Sequence, residues 1–118
     1  MVHENRRRYI VFHVISPSDI GKGLVIKLTR ERTRSLSPDD FNMIKPWFVY
    51  YRNQWGIVRT GHRGCGRLVD KLTSLDGTQL REGMLKVRVV GVSGTLRGAF
   101  YKHIPEKARE NLHYRTGD

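Results

Sequence analysis

Residues 9–15, Tyr-Ile-Val-Phe-His-Val-Ile, are apolar at both parities except for His13. Such a short β-branched and aromatic run predicts a strand covered on both sides, in the middle of a sheet. Ser16-Pro17-Ser18-Asp19 is a turn and helix-start signal. Ile20, Leu24 and Leu28 then recur at a spacing of four, predicting a helix with one apolar stripe that ends near Ser35–Ser37. Gly21 and Gly23 each weaken its first turn by ~1 kcal/mol relative to alanine, so packing on the sheet must hold it. Pro38-Asp39-Asp40 opens a connection, where the adjacent acids suit a turn or a helix N-terminus. A strand over 46–51, a polar turn at Arg52-Asn53-Gln54 and a return strand over 55–60 read as a hairpin. Its aromatics Trp47, Tyr50, Tyr51 and Trp55 could stack bases, but cross-strand packing is their ordinary use.

The pattern changes at Gly61-His62-Arg63-Gly64-Cys65-Gly66, a glycine-rich junction leading into a helix over 67–75 with Leu68, Leu72 and Leu75 on its stripe. Gly77 can take the left-handed cap that ends it. After a polar loop, residues 84–92 alternate again. Leu85, Val87 and Val89 share one face; Lys86, Arg88, Val90 and Val92 share the other. Ser93-Gly94-Thr95 offers capping hydroxyls to a short basic helix stopped by Pro105. The order β-α-β-β-α-β with an extra C-terminal helix predicts an α+β, ferredoxin-like sandwich, like an RNA-recognition motif. Its sheet is antiparallel, with both crossover helices on one face and the other face left for a ligand, for RNA or for the third helix. The 118 residues suit a single domain, divided into a basic N-terminal arm (1–8), a core (9–104) and a C-terminal extension (105–118).

Charge narrows the function. There are 22 Lys+Arg against 11 Asp+Glu, a net +11, and both halves of the chain are positive. Solubility alone needs a net charge of only ~2–8 in a small domain, so a nucleic-acid partner is indicated. Arginine outnumbers lysine, 15 to 7, which favours forked contacts to phosphate. The single Cys65 allows no intramolecular disulfide and fits a reducing cytosol, and no segment is apolar and long enough to span a membrane. A cytoplasmic location is expected.

Catalytic chemistry is hard to find. The acids are scattered, the five histidines lack a spacing such as H-x-x-x-H, and the junction 61–66 fits neither the P-loop nor the G-x-G-x-x-G pattern. Cys65 near His62 reads as a small packing residue more readily than as a nucleophile. The third strand, Asn53-Gln54-Trp55-Gly56-Ile57-Val58-Arg59-Thr60, lacks the spaced aromatics of an RNA-recognition motif. Recognition of RNA backbone and shape by arginines is therefore expected in place of base stacking across the sheet.

Three stretches carry a family resemblance: residues 8–16 (RYIVFHVIS), Lys45-Pro46-Trp47 leading to Gly56-Ile57-Val58-Arg59, and Leu85 through Val92-Ser93-Gly94-Thr95-Leu96-Arg97. With the helices between them, residues 8–104 resemble archaeal ribonuclease P protein component 2, a family shared with subunits of eukaryotic ribonuclease P and of the mitochondrial-RNA-processing ribonuclease. The junction 61–66 is richer in glycine than that family's usual helix start.

The resemblance implies a non-catalytic subunit that helps the ribonuclease P RNA remove the 5′ leader of precursor tRNA. No cofactor would be bound by the protein, and magnesium would sit on the RNA. Implied partners are that RNA, protein component 3, precursor tRNA within the holoenzyme, and a second copy of the chain in a heterotetramer. The residues expected to contact RNA are Lys86, Arg88, Ser93, Gly94, Thr95, Arg97 and Lys102, with Arg59, Arg63 and Arg67 as a second patch. A rival reading is a protein-interaction module of another ribonucleoprotein, using the open sheet and aromatic hairpin. A third is an enzyme or small-molecule sensor on the same fold.

Overall fold

The computed structural model describes residues 6–16, 18–81 and 83–109. Strand β1 (Arg7–Ile15) leads to helix α1 (Lys22–Thr33), a short helix α2 (Pro38–Ile44), the hairpin β2 (Trp47–Arg52) and β3 (Trp55–Gly61), and helix α3 (Cys65–Thr73). A two-residue hairpin, β4 (Gln79–Leu80) and β5 (Gly83–Met84), precedes β6 (Lys86–Ser93) and α4 (Leu96–His103). The main sheet has the order β2-β3-β1-β6, antiparallel throughout. This is the ferredoxin-like arrangement expected from the element order. The central strand is indeed the doubly covered run: Ile10, Val11, Phe12 and Val14 have no exposed surface.

Alternation divides these residues between two cores. Ile10, Phe12, Val14, Val58, Leu85 and Val87 pack with Val25 and Leu28 of α1, Leu68 and Leu72 of α3, and Ile44 of α2. Val11, Ile57 and Tyr50 pack on the opposite face with Ala99, Phe100 and Ile104. The C-terminal helix α4 therefore lies across the face that the sequence leaves open, and so closely that a Cβ at Gly91 would fall 2.3 Å from the His103 ring.

Four details differ from the sequence pattern. Helix α1 starts at Lys22, with Gly21 as an extended N-cap. Ile20 lies outside the helix, its N–H donating to the Gln54 side chain and its carbonyl accepting the Tyr51 hydroxyl at 2.7 Å. The buried stripe is Val25, Leu28, Thr29 and Thr33, the two threonine hydroxyls bonding back to the carbonyls of Val25 and Thr29.

Secondly, the connection after Ser37 contains α2. Ser37 caps it, accepting the Asp40 N–H at 3.2 Å; Pro38 opens it, and Asp39 and Asp40 occupy its first turn, where acids complement the helix dipole. Thirdly, α3 begins at Cys65, two residues early. Gly64 explains the glycine-rich junction: a Cβ there would lie 2.5 Å from the Met43 carbonyl oxygen and 2.7 Å from the Ile44 Cα, so α2 and the start of α3 can meet only at a glycine. Fourthly, β6 carries a bulge. Val89 pairs with Phe12 but Gly91 with Val11, leaving Val90 as the extra residue. The parity flips there, so Gly91 and Ser93, not Val92, continue the face that carries Lys86 and Arg88.

The hairpin turns through Asn53 and Gln54, both at positive φ (54° and 65°), as a two-residue turn matching strand twist requires. Helix α4 stops before Pro105, and a 3-10 turn follows at Glu106–Ala108. Residues 1–5 of the basic arm and 110–118 of the C-terminal extension lie outside the described residues.

Candidate nucleic-acid interface

Strand β6 ends in the turn Ser93-Gly94-Thr95, and Thr95 caps α4 by accepting the Gly98 N–H at 3.0 Å. Ser93 Oγ accepts the Thr95 N–H at 3.3 Å. A side chain at Gly98 would strike both hydroxyls (Cβ 2.5 Å from Ser93 Oγ and 2.9 Å from Thr95 Oγ1), so the closed cap depends on that glycine. The hydroxyls and two of the local N–H groups are thus engaged with each other. The amides of Leu96 and Arg97 remain first-turn donors without intrahelical partners, and Arg97 itself is exposed. The Arg8 guanidinium approaches from β1, its Nη1 3.9 Å from the position of a Cβ on Gly94.

Strand register decides which candidates share a neighbourhood. Tyr9 pairs with Ser93 on one side and Arg59 on the other, and Arg7 pairs with Gly61. The 93–97 turn, Arg59 and Arg63 therefore gather at one end of the sheet. Lys86 and Arg88 pair with Ile15 and His13 at the opposite end of β6, roughly 20 Å away at ~3.3 Å per strand residue. Both are exposed, but they form no single patch with the turn. Lys102 is exposed in the last turn of α4. Arg67 is committed elsewhere, paired with Asp40 at 3.3 Å.

The same sheet end holds cations that sequence reasoning does not gather. Arg6, Arg7, Lys45, Arg59 and Arg63 line a cleft of about 480 Å³, with Asn42, Met43 and Gly61 completing its wall. Arg6 and Arg7 had a signal in the basic run at 6–8. Lys45 had none, because it reaches the cleft only through the left-handed turn (φ 37°) that ends α2.

The other end is aromatic. His13 stacks on Trp55, ring centroids 4.0 Å apart and nearly parallel. Burial, aided by the Arg88 charge, holds the His13 pKa below its usual 6.5. Burial and Asp19 push the Tyr51 hydroxyl up to about 12, so it stays a donor to Ile20. Most hairpin aromatics are packed: Tyr50 edge-on to Phe100 at 5.2 Å, Tyr51 beside Phe12. Trp47 is the exception: it pairs with Arg59 at the cationic end and is 62% exposed.

Burial also raises the Cys65 thiol pKa, against an opposing Arg8 charge, which disfavours the nucleophilic thiolate. Among the described residues, no three His, Cys, Asp or Glu side chains come together to hold a metal ion, and no helix is long and apolar enough to cross a membrane.

Comparison with known proteins agrees with this architecture. The chain is 26% identical over 103 residues to Ribonuclease P protein component 2 of Methanococcus vannielii, covering 86% of this chain and 74% of that protein. It is 26% identical over 100 residues to Ribonuclease P protein component 2 of Methanocaldococcus jannaschii, covering 84% and 73%. A chain in the cryo-EM structure of yeast Ribonuclease MRP shares the fold with a TM-score of 0.62 at 13% identity, over 79% of this chain and 77% of that one. Residues 8–104 match the Rpp14/Pop5 family, from the second residue of β1 to the residue after α4, and the chain belongs to that family.

Proposed function

We propose that the chain is a non-catalytic, RNA-binding protein subunit of ribonuclease P, which assists the catalytic RNA in removing the 5′ leader of precursor tRNA. The observation that carries this reading is the match of the whole folded core to the family of ribonuclease P protein components. A net charge of +11 supplies the attraction to RNA. The turn at 93–97 supplies a place for a phosphate: helix-start amides for directional hydrogen bonds and Arg97 for charge. Arg59 and Arg63 extend that end; Lys86, Arg88 and Lys102 would be separate backbone contacts. Magnesium would belong to the RNA, which performs the cleavage. Protein component 3 and a second copy of this chain are the expected protein partners, and the cytoplasm the expected location.

Replacing Arg97 with glutamate tests the RNA contact. RNA affinity should fall while pairing with component 3 persists; loss of pairing with RNA affinity intact would favour a protein-interaction role. One observation lends that second reading support. The exposed Trp47 lines a groove of about 260 Å³ with Ile26, Thr29, Pro46 and Phe48, edged by Lys22 and Arg30, a mainly apolar surface with a cationic rim that suits a protein segment carrying an acidic group. The open sheet is not available for it, because α4 covers that face.

A further inference from the structure

We propose that the cleft formed by Arg6, Arg7, Lys45, Arg59 and Arg63 holds a run of RNA backbone phosphates, as a second contact separate from the turn at 93–97. This rests on the reading of the chain as an RNA-binding subunit and says where a further stretch of the strand runs.

Five cations line one concavity and no carboxylate does. Among the described residues the only ion pair is Arg67–Asp40, so α2 spends Asp40 on α3 and leaves the cleft uncompensated. Gathering like charges is unfavourable in the free protein, and a polyanion relieves it; a concave low-dielectric wall focuses the field where that anion would lie. At about 480 Å³ the cleft is large for a single tetrahedral anion, which points to a sugar-phosphate backbone.

The cations stand on fixed backbone. Arg7 pairs with Gly61 in the sheet, and the His62 N–H donates to the Arg6 carbonyl at 3.0 Å. Little main-chain ordering is left to be lost on binding. Lys45 is informative for another reason. It occupies the left-handed position after α2 (φ 37°), where glycine is the residue without steric cost. A lysine there places a charge on the wall at the expense of backbone ease, a pattern associated with functional positions.

The cleft and the turn lie at the same end of the sheet. Ser93, Tyr9 and Arg59 are successive neighbours across three strands, about 10 Å in two strand spacings. One RNA segment can therefore lie across the end of the sheet, from the α4 N-terminus over Tyr9 to the cleft.

The test measures binding of the full-length chain to ribonuclease P RNA across a series of salt concentrations, for wild type, the double variant Arg6→Gln/Arg63→Gln, Lys45→Gly and Arg97→Gln. Each cation removed from a phosphate should lower the log–log salt slope by about 0.7–0.9, so the double variant should lose about 1.4–1.8. Its affinity should fall most at low salt and converge on wild type at high salt. Lys45→Gly should lose about one such step while its melting temperature holds or rises, because glycine suits that backbone; this separates lost binding from lost folding. Affinity and slope unchanged in both cleft variants, with Arg97→Gln weakened, would overturn the cleft and leave the parent reading standing. Loss of pairing with component 3 in the cleft variants, with RNA affinity intact, would overturn it in favour of a protein contact. A wild-type chain that does not bind the RNA would overturn the parent reading and the cleft together.

Discussion

Replacing Phe100 with alanine should cost a large part of the stability of the fold, because its ring is the largest buried side chain that α4 brings to the sheet. Phe100 is 2% exposed and packs with Val11, Ile57 and Tyr50. Its ring stands edge-on to Tyr50 at 5.2 Å and to Tyr101 at 4.9 Å. The Arg109 guanidinium lies 5.8 Å from its centroid. Truncating a buried phenylalanine costs about 3–5 kcal/mol, including the cavity left behind and ~0.5–1.5 kcal/mol for an aromatic pair. With an unfolding entropy of ~2.1 cal/mol/K per residue, a chain of this length loses about 4 °C of melting temperature per kcal/mol. A drop of about 12–20 °C is therefore expected in calorimetry or in a circular-dichroism melt.

An eight-residue helix has little stability without its packing surface. Hydrogen exchange should consequently show α4 losing protection first, with β1 and β3 protected for longer. A loss below about 1 kcal/mol, or protection falling equally in α4 and the central strands, would refute the docking described for this helix. Since α4 begins at the turn proposed to hold a phosphate, the same variant should bind RNA more weakly without any change in charge.

Gly64→Ala should destabilise the fold by about 1–3 kcal/mol, because the added carbon meets backbone atoms of Met43 and Ile44 that cannot swing aside. The nearby Gly66→Ala meets nothing within 4 Å and should be neutral or stabilising; equal urea midpoints for the two variants would count against the close approach of α2 to α3. Stability should also fall as pH drops below about 6.5, the ordinary His13 value. The folded protein holds His13 neutral through burial and Arg88, so the unfolded chain takes up a proton that the folded one resists until its own lower pKa is passed. Above that range this contribution is fully present. His13→Gln should flatten this part of the profile between pH 7.5 and 5.5, and parallel profiles would show that His13 is not responsible.

Periodicity made much of this fold legible because both cores rest on alternating strands. The run at 9–15, short and rich in β-branched and aromatic residues, fitted a doubly covered strand best, and the polar turn between two aromatic runs read as a hairpin. Helix α2 was hidden for a physical reason: of its apolar residues only Ile44 is buried, while Phe41 and Met43 stay exposed, so it has no stripe to read. Its capping signals, Ser37-Pro38-Asp39-Asp40, were present but looked equally like a turn. The bulge at Val90 was invisible because Val90 and Val92 satisfy either parity. The apolar face of the last helix did not say which side of the sheet it would cover.

The candidate interface divides the same way. The turn at 93–97 is local, and its hydroxyl-glycine-hydroxyl pattern announces a helix cap. The cleft is non-local: the β1–β3 register brings Arg6 and Arg7 to Arg59 and Arg63, and a left-handed residue adds Lys45. The extended rise of β6 carries Lys86 and Arg88 away from the turn that follows them in sequence.

Cleavage of precursor tRNA by ribonuclease P RNA, reconstituted with protein component 3 with and without this chain, tests whether the chain works as a ribonuclease P subunit. Adding the chain should accelerate removal of the 5′ leader, the effect should weaken as salt rises, and the chain alone should cleave nothing. Cleavage that proceeds at the same rate without the chain would contradict that role.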